Sequence, residues 1–119
     1  MILVDTSIWI GHFRTFNRVL AGLLEREEVL IHPFVLGEIA CGNLKNRAEI
    51  LSLLRALPAA SKADDGEIIF FIEQHALMGR GLGLIDVHLL ASALMQPCQL
   101  WTTDKRLQAA AKQLATAFG

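Results

Sequence analysis

The chain has 119 residues, 53% of them hydrophobic and 19% charged; that length fits one domain spanning 1–119, and the composition excludes intrinsic disorder. Eleven Lys and Arg against twelve Asp and Glu leave a formal charge of −1, so no bulk positive field draws the chain to nucleic acid or to an anionic membrane. Cys41 and Cys98 are too few for a disulfide framework or a four-ligand zinc site, and are expected to be reduced, buried thiols.

Ile2-Leu3-Val4 is an all-apolar, branched run, the pattern of a strand buried on both faces of a parallel sheet. Asp5 breaks the run, and no basic residue precedes it as a secretion signal would require. The polar cluster Asp5-Thr6-Ser7 then closes the strand. From Phe16, the positions Phe16, Val19, Leu20, Leu23 and Leu24 follow helical spacing until the acidic stretch Glu25 to Glu28. Val29-Leu30-Ile31 reads as a second buried strand, and Pro33 suits the first turn of a helix that Gly42 stops after Cys41.

Leu44, Ala48, Leu51 and Leu54 carry another helical stripe up to Pro58, and Ser61 to Gly66 is a loop. Ile68, Ile69, Ile72 and Ala76 mark a further helix, ended by Gly79, Gly81 and Gly83. The run from Ile85 to Met95 is helical and too short for a bilayer, which takes about 20 apolar residues. Cys98 to Thr102 is a third strand, and Leu107, Ala110, Ala111 and Leu114 define the last helix. Short apolar strands separated by helices predict an α/β fold with a covered parallel sheet, whose ligands bind beyond the carboxyl ends of the strands. No association with a membrane is expected, and the predicted compartment is the cytoplasm.

Acids stand at those ends. Most of the twelve are solvating charges, but Asp5, Glu38, Asp86 and Asp104 are not placed like surface residues. Glu38 has Phe34, Val35, Cys41 and Gly42 as its helical neighbours, which puts it on a core-facing side, with an ion pair to Arg14 or Arg80 as the plain alternative. Asp5, Asp86 and Asp104 each have a plain alternative as turn or helix caps. Two carboxylates about 4 Å apart repel by about 4 kcal/mol at an effective dielectric of 20, so a convergent quartet needs a counter-charge. An all-oxygen donor set selects Mg²⁺, or Mn²⁺, over zinc, and such a site supports phosphodiester hydrolysis.

Leu3-Val4-Asp5-Thr6-Ser7, Glu38 in a short helix, Gly83-Leu84-Ile85-Asp86-Val87-His88-Leu89-Leu90-Ala91 and Trp101-Thr102-Thr103-Asp104 resemble, in order and spacing, the PIN-domain ribonucleases. Size and pattern are most similar to the VapC-type toxins of toxin–antitoxin pairs. The resemblance implies a three-layer fold with a central parallel sheet of about five short strands, adding an edge strand near Ala115 to Phe118. It implies that Asp5, Glu38, Asp86 and Asp104 hold Mg²⁺ and a catalytic water, with Ser7 and Thr102 hydrogen-bonding the acids or phosphate. It also implies an RNA substrate, a cognate antitoxin protein laid into a groove, and a homodimer. Trp9, Ile10 and Phe13 are candidates for the groove, the dimer interface or the core.

Cations for RNA are sought among Lys45, Arg47, Arg80, Lys105 and Arg106, with Arg80 and Lys105 best placed. The four histidines, His12, His32, His75 and His88, show no spacing that ties two together, and His88 points away from Asp86 on a helix, so a metal-free imidazole mechanism is not expected. The competing function class is a non-catalytic PIN-like binding module whose acids grip a partner's Arg or Lys.

Overall fold

A computed structural model describes residues 1–119. The elements are β1 (Ile2–Val4), α1 (Thr6–Arg14), α2 (Arg18–Glu25), β2 (Val29–Leu30), α3 (Pro33–Cys41), α4 (Arg47–Arg55), α5 (Asp65–Gln74), α6 (Leu84–Met95), β3 (Gln99–Trp101) and α7 (Lys105–Gln113). The sheet is parallel in the order β2-β1-β3, with Leu3 opposite both Leu30 and Leu100. Parallel bridges at Ile31–Ala59 and Leu100–Ala117 add one residue pair at each edge, so five chain segments lie side by side. The outer segment near Ala117 is the expected edge strand, pared down to a bridge held by Leu100 N–H on Thr116 O (2.7 Å) and Phe118 N–H on Leu100 O (3.0 Å).

β1 is central, and Leu3 and Val4 are fully buried. The chain winds to one side of β1 to reach β2 and to the other to reach β3, which makes the carboxyl end of β1 the topological switch point where such sheets bind ligands. Asp5 is the first residue beyond it. Around the sheet, α6 is buried continuously from Val87 to Ala93. A helix apolar on all sides has no stripe to read, and its burial follows from being covered on all sides.

One helix was not foreseen. Asp5 begins α1 as its N-cap, accepting from Thr6 N–H at 2.7 Å, and extended backbone at Thr15 ends it. Asn17 then caps α2 by accepting from Leu20 N–H at 3.0 Å. The predicted stripe therefore starts too early: Phe16 and Val19 are 69% and 53% exposed, and only Leu20 and Leu23 of that set are buried. Cys41 is exposed and Cys98 half-buried, not buried as expected, and both are free thiols. No helix is long and apolar enough to cross a membrane.

Candidate active site

Asp5 is nearly buried at the end of β1, and its carboxylate takes only neutral donors. Oδ1 accepts from Thr6 N–H at 2.7 Å, and Oδ2 accepts from Thr102 Oγ1 at 2.7 Å and Ser7 Oγ at 3.2 Å. Thr102 follows β3 directly, so this pair joins the ends of two neighbouring strands. The same Thr102 hydroxyl accepts from Asp104 N–H at 3.0 Å, and Ser7 Oγ accepts from Thr103 N–H at 3.2 Å. Ser7 and Thr102 are thus both bonded to Asp5.

The other acids ring this point on three helix starts or faces. Asp104 caps α7, accepting from Leu107 N–H at 2.9 Å. Asp86 lies in the first turn of α6 and reaches back to Gly83 N–H at 2.9 Å. Glu38 corrects the sequence expectation: it is exposed, not turned to the core, and Thr6 Oγ1 donates to its Oε1 at 2.7 Å. The reason is that apolar spacing does not guarantee burial: of the helical neighbours only Val35 is buried, Phe34 and Gly42 are half-buried and Cys41 is exposed. Neither Arg14 nor Arg80 pairs with it; the one ion pair in the chain is Arg26–Glu28 at 3.5 Å.

Burial, and then the charges of Asp104, Asp5 and Glu38, raise the proton affinity of Asp86, while the Gly83 N–H opposes them. Asp104, Asp5 and Glu38 therefore stand near enough to act on Asp86, and none of the four is in an ion pair. They are not gathered into a finished cage, however: no three His, Cys, Asp or Glu side chains stand close enough to ligate one ion. Each carboxylate is turned onto a hydroxyl or N–H of its own surroundings, the arrangement that like charges favour. The donor set still fits a hard divalent cation, because Mg²⁺ keeps several waters and is bound through one or two carboxylates rather than an all-protein cage.

The sequence passed over Thr6, whose hydroxyl links α1 to Glu38; its position in a D-T-S run gave the only signal. It also missed a histidine pair. His32 and His88 meet edge-on with ring centroids 6.2 Å apart, between α3 and α6. They are 0% and 2% exposed, so they are out of reach of a polynucleotide and do not revive an imidazole mechanism. Arg80 is half-buried and Lys105 exposed, and neither forms an ion pair.

The PIN domain family model matches residues 2–113. Two curated relatives, each named Ribonuclease VapC32, come from Mycobacterium tuberculosis strains CDC 1551 / Oshkosh and ATCC 25618 / H37Rv. Each is 42% identical over 119 residues, covering 99% of this chain and 96% of the relative. Among solved structures, PAE2754 from Pyrobaculum aerophilum superposes with a TM-score of 0.60 at 17% identity, covering 95% of this chain and 85% of that one, a likeness of fold. On its sequence and its sheet topology, the chain belongs to the PIN-domain family, among the VapC-type ribonucleases.

Proposed function

We propose that the chain is a Mg²⁺-dependent endoribonuclease, a single PIN unit acting as the toxin of a toxin–antitoxin pair in the cytoplasm. The observation that carries this is Asp5, a nearly buried carboxylate at the switch point of a parallel sheet, served by neutral donors and surrounded by three uncompensated acids. Of Asp5, Glu38, Asp86 and Asp104, one or two would hold the ion directly and the others through its waters, with Mn²⁺ as its substitute. Ser7 and Thr102 fix Asp5, and Thr6 fixes Glu38. When bound, Mg²⁺ supplies a water of lowered pKa and neutralises charge on the phosphate. Asp5 contributes a charge whose direction cannot drift, because three donors from two strand ends hold it. The exposed Glu38 and Asp104 leave the site open to a polymer, as cutting within an RNA chain requires, and Arg80 and Lys105 are available to its backbone.

The antitoxin's place is a separate groove of about 320 Å³ along α1, lined by Trp9, Phe13, Leu24, Ile50, Leu53, Leu54 and Leu57 with His12. Trp9 is only 2% exposed and forms the floor, while Leu53, 64% exposed, stands at the wall. An amphipathic segment suits such a groove. Arg14 and Lys45 line an adjoining hollow that shares Phe13 and Ile50, so an acidic end on that segment is favoured. A homodimer completes the proposed assembly.

The test is cleavage of labelled RNA by the purified chain. Activity is expected with Mg²⁺ or Mn²⁺, to vanish in EDTA and return on adding the metal back, and to be lost in Asp5→Asn with the melting curve preserved. Cleavage persisting in EDTA, or no Mg²⁺-linked rise in melting temperature, would overturn the assignment.

A further inference from the structure

Gly81, in the loop between α5 and α6, has φ +74°, a conformation that favours glycine. A second reason for glycine lies across from it. A methyl group at Gly81 would stand 2.6 Å from Arg106 Nη1 and 3.0 Å from both Cδ and Cζ. The Arg106 side chain therefore rests directly on the glycine backbone. Arg106 belongs to the first turn of α7, two residues beyond Asp104, and the same glycine loop supplies Gly83 N–H to Asp86. Arg106 thus joins the two segments that carry Asp86 and Asp104, at the rim of the acidic site.

What holds this guanidinium is packing alone. The single ion pair of the chain is between Arg26 and Glu28, and the arginine whose guanidinium bonds the chain is Arg47, which donates to Ala40 O at 2.8 and 3.1 Å. Arg106 is exposed, so its planar fork of donors is oriented by Gly81 and faces solvent unspent. The three atoms nearest a methyl group at Gly81 all belong to Arg106.

We propose that Arg106 grips a phosphate of the RNA backbone beside the bond that is cut, with Gly81 as its seat. This rests on the ribonuclease function proposed above. A site of four acids repels a polyanion, and a positive fork on its rim offsets that repulsion at one defined phosphate. A guanidinium suits the task because it meets phosphate with two parallel N–H bonds, and its seat limits the rotamers lost on binding.

The experiment measures binding of a fluorescein-labelled single-stranded RNA of mixed sequence to the full chain carrying Asp5→Asn, over a series of salt concentrations. Adding Arg106→Gln is expected to weaken binding about tenfold and to flatten the plot of log affinity against log salt by about 0.7. Arg106→Lys is expected to restore the slope but only part of the affinity, and Gly81→Ala to weaken binding with every charge kept. In the otherwise wild-type chain, Arg106→Gln should raise KM with kcat and the melting temperature little changed. Unchanged affinity and slope would overturn the proposal while leaving the nuclease in place, as would a fall in melting temperature and kcat at constant KM, which marks a mere brace. If the unsubstituted chain neither binds nor cuts RNA, the ribonuclease function itself fails and this proposal falls with it.

Discussion

Thr102 shows how much of the site depends on one hydroxyl. It is buried, gives its proton to Asp5 and accepts from the backbone of Asp104, so two acids are set by a single side chain. Thr102→Val keeps the shape and removes both bonds, leaving an N–H and a carboxylate oxygen short of partners. Urea unfolding is expected to show a loss of about 1–3 kcal/mol, and RNA cleavage to fall with it, whereas Thr102→Ser should retain most of both. Thr102 and Asp5 were legible in the sequence because an apolar run that ends abruptly in a polar residue marks the end of a buried strand. The direction of Glu38 was not legible. Its helical neighbours are apolar, but whether a face meets the core or an open edge depends on where the helix lies on the sheet.

At the level of elements, the strands and most helices followed from apolar spacing, while α1 did not, since Asp5-Thr6-Ser7 reads equally as a turn and as a helix start. The packing of α3 on α6 was also hidden, and it creates a pH response. His32 is the N-cap of α3: its Nδ1 accepts from Phe34 N–H at 3.0 Å, while Nε2 is buried without a partner. Burial, then His88 and then Lys62, hold its pKa down at about 4 against an ordinary 6.5. The folded state therefore refuses a proton that the unfolded chain accepts, so stability is full above 6.5 and falls as pH drops toward 4. The loss amounts to roughly 3 kcal/mol by the lower limit. His32→Asn keeps a capping oxygen and has no proton to refuse; melting temperatures measured across this range should fall less steeply than in the unsubstituted chain.

Taken whole, the molecule has an acidic site and an apolar groove that α1 connects: Asp5 caps its first turn, and Trp9 and Phe13 line the groove one and two turns on. Composition could show that apolar residues were plentiful, but not that some of them would line a groove, because that depends on α1, α2 and α4 meeting in space. Leu53→Asp places a charge at the groove wall without touching an acid of the site. It is expected to leave RNA cleavage intact and to abolish inhibition by the antitoxin, measured by adding the purified antitoxin to the cleavage reaction; retained inhibition would put the antitoxin elsewhere.

The bond between Thr102 and Asp5 spans 97 positions of the chain. Synthesis therefore delivers Asp5 well before the hydroxyl that orients it. Until β3 has emerged to flank β1, the growing polypeptide carries Asp5 without the Thr102 hydroxyl that aims it, so the site is completed only when the two strands pair.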